Sequence, residues 1–292
     1  MPADFDMTRY GLHPCHVRTA EGFIFVNLSH GDAPDFESAV GQFTKVAREY
    51  GTAQLKIAAR VSAPTKANWK LVLENFQECY HCGGAHRALV TTHPFWNGLM
   101  ATGQRSQLAK ELERFVPEES RQVTGWDQTG GMGQGAAVLG GNILNSNFVS
   151  GTLDGKAAAP LLPNRKDWTH RSRLVSTGWS TGYLQCYDDH VVAVRFTPRG
   201  VRSTDAEIVY LVRLDAKEGT DYKVDHLTAL WDITYREDRW ITENNQQGVE
   251  SGAYAAGLYA MVEDGPSSFI NWYMTEVVAA GSCSPLVAIR GD

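Results

Sequence analysis

The chain has 292 residues, 43% of them hydrophobic and 21% charged, with a formal charge of −6 and a pI near 5.9. No lysine or arginine cluster forms the basic footprint of a nucleic-acid-binding protein, no apolar run reaches the roughly 18 residues of a membrane span, and the N-terminus lacks a signal-peptide pattern. The five cysteines argue against a disulfide framework. We therefore expect a cytoplasmic globular protein with a substantial core.

The first half of the chain predicts a hairpin, a helix and a strand. Residues 22–28 form a strand pattern after a shorter one at 16–19, and an isolated hairpin must pack on something to be stable. Residues 36–50 have helical apolar spacing, and residues 54–62 predict a strand. Pro64 is expected to separate this strand from the next helix.

Two histidines follow that helix. His81 and His86 lie five residues apart, a rotation of about 500° on an ideal helix, so a regular helix would leave their side chains roughly 140° apart. Gly83 and Gly84 lie between them and permit a break. The helix is expected to end near His81, and the chain to turn so that both imidazoles face one metal ion.

Three hypotheses compete for these histidines. They could be structural packing or capping residues. Cys79 and Cys82 are soft ligands beside two imidazoles, which brings zinc into consideration, although no second Cys/His pair has zinc-finger spacing. Two histidines and one carboxylate with open positions would instead form a facial triad, which suits Fe(II) and dioxygen.

The rest of the chain predicts a lid or loop, then strands, then helices. Residues 101–137 are glycine-rich and predict either a mobile surface loop or a lid over a pocket. Strand patterns follow with little helical pattern between them, which favours an antiparallel sheet, at 143–149, 181–187, 191–197, 206–213 and 225–234. Residues 236–258 and 267–279 then predict helices. The element order indicates an α+β fold.

The third ligand is expected where the last predicted strand gives way to a helix. Asp238 is the best carboxylate because this position can project between sheet and helices. Glu237 and Asp232 are rivals on spacing alone. Asp238 could also simply complement the dipole at a helix N-terminus.

Two groups of motifs resemble those of a known family. Asn68-Trp-Lys-Leu, Glu74-Asn-Phe and Glu78-Cys-Tyr-His-Cys with His86 resemble the catalytic-domain signature of the Rieske non-haem iron oxygenases. The segment 237–251 is similar to that family's third-ligand helix, and the likeness extends over residues 10–274. The Glu-Cys-Tyr-His-Cys form resembles the branch that oxidises quaternary ammonium compounds such as glycine betaine, choline, carnitine and stachydrine.

The resemblance implies a site and a fold. His81, His86 and Asp238 would bind mononuclear Fe(II), and Glu78 would pass an electron from the Rieske [2Fe–2S] cluster of a neighbouring subunit in a homotrimer. NAD(P)H would supply electrons through a reductase or ferredoxin. The fold would be helix-grip (START- or Bet v 1-like), with an antiparallel sheet around a long C-terminal helix.

The chain departs from this family in one respect. A Rieske cluster needs Cys-x-His and, further on, Cys-x-x-His, and this sequence has no Cys-x-x-His. Residues 1–40 are therefore expected to be the closing hairpin of a Rieske domain that is truncated, lost or replaced by a separate protein, and residues 41–292 the catalytic domain. Alone, the chain should bind iron yet turn over poorly.

The substrate of that branch is recognised by aromatic faces. The expected reaction is O2-dependent hydroxylation or N-demethylation of a quaternary ammonium compound, and cation–π contacts should line the pocket. The candidate pocket residues are Phe95, Trp96, Phe148, Tyr187 and Trp231. The alternatives are a hydroxylase of aromatic rings or other small molecules, and a non-catalytic helix-grip domain that binds a hydrophobic ligand.

Overall fold

The computed structural model describes residues 11–94 except 13, 30 and 34, and residues 125–127, 139–176, 182–260 and 263–279. The strands are β1 His16–Ala20, β2 Phe23–Asn27, β3 Leu55–Thr65, β4 Gly125–Asp127, β5 Leu139–Ile143, β6 Arg171–Ser176, β7 Gly182–Cys186, β8 Val191–Gly200 and β9 Ser203–Arg213. The helices are α1 Phe36–Glu49, α2 Trp69–Phe76, α3 Cys82–Ala85, α4 Arg87–Thr92, α5 Val224–Glu250 and α6 Asp264–Trp272, with a 3-10 turn at Thr52–Gln54 and a π-helical segment at Tyr273–Ala279.

Seven of these strands form one antiparallel sheet in the order β3-β9-β8-β7-β6-β5-β4, and β1 pairs with β2 in a separate hairpin. Helices cover both faces of the sheet. The α+β class and the antiparallel arrangement expected from the sequence are therefore confirmed. No helix in the described ranges is long and apolar enough to cross a membrane.

Alternation along β7 divides the core into two clusters. Leu184 and Cys186 point towards α1, where they join a cluster built on Phe43. Tyr183 lies on the opposite face in the larger cluster, with residues of α2 and α5. Gln185 shares the face of Tyr183 by the same period of two, so a polar amide is placed between the sheet and α5.

The hairpin packs within this chain. Phe23 and Phe25 of β2 make edge-to-face contacts with Phe43 of α1, with ring centroids 5.0 and 5.6 Å apart. These contacts supply the support that an isolated hairpin needs. Helix α1 crosses residue 40, the expected domain boundary, and the division into two domains stays a prediction.

Pro64 does not end β3, as was expected, but pairs within it opposite Asp205. Strand β3 is at the edge of the sheet, which is where a strand tolerates a proline without an N–H to donate.

The largest error in the predicted elements concerns residues 225–234, which belong to the 27-residue helix α5 and not to a strand. The four-residue spacing of Leu227 and Trp231 fits both the period of two of a strand and the period of 3.6 of a helix. The third buried apolar residue is Leu230, three residues after Leu227, and this spacing fits only the helix. The helix also ends at Glu250, not 258. Strand β5 ends at Ile143, and strand β6 was missed because it begins with three consecutive polar residues and so shows no apolar alternation. Residues 101–137 lie outside the described part except for β4.

Candidate metal centre

A break in the chain positions the two histidines. Helix α2 is capped by the side chain of Asn68 and ends at Phe76, five residues before His81 and not near it as expected. The four-residue helix α3 separates the histidines, and His86 has non-helical backbone angles of φ −116° and ψ 71°. The turn brings the two imidazole rings to a centroid separation of 5.0 Å, which a continuous helix would not allow.

Helix α5 supplies the acid. Its buried face includes Trp231, Tyr235, Asp238 and Thr242, at successive spacings of three and four residues. Asp238 is therefore an interior residue in mid-helix, not a residue at a strand-to-helix junction. It lies in line with the buried apolar residues of the helix, and its carboxylate faces the two histidines of the α2–α4 segment.

Three potential ligand atoms lie close together. The Nε2 atoms of His81 and His86 are 3.1 Å apart, and the Oδ1 atom of Asp238 lies 3.3 Å from the first and 3.0 Å from the second. Ligands about 2.1 Å from a metal are roughly 3.0 Å apart when mutually cis in an octahedron. The triangle therefore has the size of one face of such a coordination shell.

Carboxylates hold the other nitrogen of each ring. The Nδ1 atom of His81 contacts Glu78, and the Nδ1 atom of His86 lies 2.8 Å from Oε2 of Glu237. A ring that donates Nδ1–H to a carboxylate presents the Nε2 lone pair on its other side, as metal-binding histidines do. Both rings are thus oriented with Nε2 towards Asp238.

The electrostatics favour positive charge between these residues. Burial opposes a charged imidazole, but the hydrogen bonds to Asp238 and Glu78 outweigh this effect and raise the pKa of His81 to about 9. Burial would raise the pKa of Asp238, yet the hydrogen bonds from both histidines hold it below its usual value. A divalent cation would meet the same stabilising charges and would release protons on binding.

The three candidate acids occupy different places. Asp238 is 3% exposed, and its Oδ1 also accepts a hydrogen bond of 2.7 Å from Nδ2 of Asn75. Glu237 lies behind His86, and Asp232 lies apart from the centre, where it accepts from the hydroxyl of Tyr210 at 2.8 Å. The assignment of the third ligand stays a prediction, but Asp238 alone of these acids lies near the Nε2 atoms of both histidines.

Cys79 and Cys82 are joined by a disulfide, a single bridge that the argument against a disulfide framework did not anticipate. Their Cα atoms are 5.0 Å apart, within the range a disulfide spans. The Sγ atom of Cys82 lies 3.9 Å from Nε2 of His81, and a bonded sulfur is not a thiolate ligand. In this form the pair cannot hold zinc.

Replacing both cysteines tests this assignment. The variant Cys79→Ser/Cys82→Ser should retain the iron content of the wild type. Although Cys82 lies beside both histidines, both sulfurs are bonded to each other and are not the thiolates that a metal ion would need. Metal analysis by mass spectrometry after purification under reducing conditions measures this directly. Loss of the metal, or zinc in place of iron in the wild type, would return the cysteines to the ligand set.

A cavity opens onto the candidate ligands and contains about 420 Å³ of empty space, counted with its open mouth. The rest of its lining is partly aromatic, from Phe76, Tyr183 and Trp231, and partly polar, from Asn75, Gln185 and Thr234. Glu78 lies at the same opening. Among the lining residues that the structure describes there is no lysine or arginine.

The predicted pocket residues are only partly brought together. Trp231 lines the cavity, whereas Tyr187 is fully buried behind it and accepts the indole N–H of Trp231 at 3.2 Å. Phe148 packs its ring over Gly155 and does not line the cavity. Phe95 and Trp96 lie outside the described residues.

Sequence reasoning missed Phe76, Tyr183 and Gln185. Phe76 belongs to the Glu74-Asn-Phe motif and was available as a candidate. Once β7 is known to be a strand, its period of two places Tyr183 and Gln185 on one face, and a glutamine in an otherwise apolar stretch is the usable signal.

Comparison with known proteins shows which family the chain belongs to. Residues 52–278 match the family model for the ring hydroxylating alpha subunit (catalytic domain). The chain is 32% identical over 280 residues to the glycine betaine monooxygenase oxygenase subunit of Pseudomonas aeruginosa, covering 94% of this chain and 63% of that protein. It is also 29% identical over 130 residues to the carnitine monooxygenase oxygenase subunit of Acinetobacter pittii, covering 39% and 34%.

Solved structures share the fold. The quaternary ammonium Rieske monooxygenase CntA has a TM-score of 0.62 at 19% identity, covering 95% of this chain and 64% of that one. Naphthalene 1,2-dioxygenase from Rhodococcus sp. has a TM-score of 0.52 at 13% identity, covering 89% and 65%. The matched region of the family model takes in both histidines and Asp238. The chain belongs to the ring hydroxylating alpha subunit family and contains the region that corresponds to its catalytic domain.

Proposed function

We propose that His81, His86 and Asp238 bind one Fe(II) ion, and that the protein oxidises a small quaternary ammonium compound with O2. The observation that carries the metal assignment is the triangle of Nε2, Nε2 and Oδ1 atoms, 3.0–3.3 Å on a side, with Nδ1 of each histidine held by a carboxylate. Two imidazoles and one carboxylate form the facial set that leaves positions open for O2 chemistry.

The lining of the cavity supports a cationic substrate. Phe76, Tyr183 and Trp231 offer aromatic faces, and Glu78 contributes negative charge. A quaternary ammonium group cannot donate a hydrogen bond, so aromatic faces and carboxylates are the groups that recognise it. The glycine betaine relative leads us to a betaine as the substrate class.

The reaction must supply two electrons. One N-methyl group, one O2 and two electrons with two protons would give an N-hydroxymethyl group and water. The C–N bond of that group would then break to release formaldehyde, a tertiary amine and one proton. Bound iron would supply the O2 activation. In this scheme Glu78 and Glu237 orient the histidine rings, and the aromatic lining holds the methyl group and excludes water.

The remaining family features are also proposals. The chain spans about 63% of the length of the glycine betaine relative. We infer that electrons arrive from a Rieske [2Fe–2S] domain outside these 292 residues, served by a reductase that uses NAD(P)H, and that Glu78 connects that cluster to His81 across a trimer interface. Residues 1–40 would accompany the Rieske domain, and residues 41–292 would form a helix-grip catalytic domain around α5.

Hydrogen peroxide allows the chain to be tested without that electron supply, because peroxide carries both oxygen and the two electrons. Iron-loaded protein, glycine betaine and peroxide should release formaldehyde in proportion to the iron content. His81→Ala protein treated identically is the control for free-iron chemistry. Formaldehyde from both proteins alike would refute the assignment.

The other outcomes separate the alternatives. Iron without formaldehyde from glycine betaine, carnitine or choline, but with hydroxylation of an aromatic acid, would favour a ring hydroxylase. Protein that binds no iron after anaerobic reconstitution would favour a non-catalytic ligand-binding domain.

A further inference from the structure

Gln185 is a polar group of the cavity that the proposed iron site does not explain. It lies on β7, is fully buried and lines the cavity. Neither its amide oxygen nor its amide nitrogen makes a well-formed hydrogen bond within the described part of the chain. The amide does lie close enough to the Tyr187 hydroxyl to offset part of the burial effect that raises the pKa of Tyr187. A buried amide without good partners destabilises a fold, so an amide that faces a cavity calls for a further partner there.

The other uncharged polar groups of the described lining already have partners. Their hydrogen bonds run from Asn75 to Asp238, between Tyr183 and Tyr235, from Trp231 to Tyr187, and from Thr234 to the carbonyl of Leu230. Glu78 accepts from the backbone N–H of Tyr80 and contacts His81. Gln185 is therefore the one uncharged polar side chain of the described lining whose polar atoms have no well-formed partner.

We propose that Gln185 donates a hydrogen bond to the carboxylate of a zwitterionic N-methylated substrate. It would thereby select betaines over analogues that have an uncharged group in place of the carboxylate. The inference rests on the function proposed above. A carboxylate needs a donor, and among the described lining residues no lysine or arginine provides one. An uncharged donor fits this cavity because a cationic side chain would repel the ammonium group of the same ligand. Gln185 shares the cavity with Trp231 and Phe76, so one short ligand can meet both an aromatic face and the amide.

Binding measured by isothermal titration calorimetry on iron-loaded protein tests the proposal independently of turnover. The probes are glycine betaine, which has a carboxylate, and choline, which has a hydroxyl group in its place. Gln185→Met keeps the size of the side chain and removes its donor. It should weaken glycine betaine binding by about tenfold or more, as expected for a hydrogen bond to a charged group, and change choline binding less than about twofold.

Two further variants keep the test falsifiable. Gln185→Glu places a carboxylate against the ligand's carboxylate and should abolish betaine binding while leaving choline bound. Leu184→Met, on the opposite face of β7, should leave both affinities unchanged. Thermal melting of each variant checks that it is folded.

The outcomes distinguish this inference from the proposed function. Wild-type protein that binds neither probe would overturn the quaternary ammonium assignment and this inference with it. A second pair of outcomes would overturn the role of Gln185 alone. In both, the wild type binds glycine betaine; Gln185→Met then either binds it with unchanged affinity or loses affinity for glycine betaine and choline to the same extent.

Discussion

Replacing His81, His86 or Asp238 by alanine is expected to reduce bound iron from about one per chain to a small fraction. Each supplies one of three atoms that lie 3.0–3.3 Å apart, so each loss opens one corner of the proposed coordination face. Changes in groups that only orient metal-binding histidines weaken affinity by about 10–100-fold, and loss of a ligand should exceed that. Iron per chain after anaerobic reconstitution and desalting is the measurement.

Two acids on the same helix are matched controls. Glu237→Ala removes the partner of His86 Nδ1 and should weaken iron binding within the 10–100-fold range, while Glu237→Gln, which can still accept from Nδ1, should have a smaller effect. Asp232→Asn can still accept from Tyr210 and should retain full iron content. Iron that depends on Glu237 or Asp232 more strongly than on Asp238 would identify a different third ligand.

The local sequence contains enough information to predict the histidine pair. Gly83 and Gly84 indicate a break between His81 and His86, and a short helix does separate them. The end of α2 at Phe76 was harder to predict, because no proline or glycine marks it and the residues up to Cys79 remain compatible with a helix.

Residues 225–234 show why the acid was expected in the wrong setting. Leu227 and Trp231 satisfy an alternating period with Ala229 and Ile233, and the β-branched Thr228 adds to the strand signal. The burial of Leu230 is what distinguishes a helix from a strand here. Burial depends on the tertiary packing of α5, which the local sequence does not contain. Gln185 was missed for a related reason. Its importance depends on the absence of well-formed hydrogen-bond partners around its amide, and that depends on how the other elements pack against β7.

The packing behind the cavity gives the second large prediction, at Gly151. A methyl group at this position would lie under 3.0 Å from ring atoms of Tyr187, a contact that real Cβ atoms do not make. The Tyr187 ring has little freedom to move, because it stacks on His190 with centroids 4.6 Å apart and its hydroxyl bonds to Trp231. Gly151→Ala should therefore lower the free energy of unfolding by about 3 kcal/mol, the upper part of the range for overpacked cores.

Gly248→Ala is the matched control for this effect. Gly248 lies on an exposed face of α5 with no atom within 4 Å of its Cβ position, so the same substitution should raise the free energy of unfolding by about 0.5–1 kcal/mol. Urea denaturation followed by far-UV circular dichroism compares the two variants. The two substitutions must change the free energy of unfolding in opposite directions. A Gly151→Ala protein as stable as the wild type would mean that the Tyr187 ring can move. Because Tyr187 accepts the indole N–H of Trp231, the destabilised variant should also bind choline more weakly, which ties the packing behind the cavity to its proposed ligand.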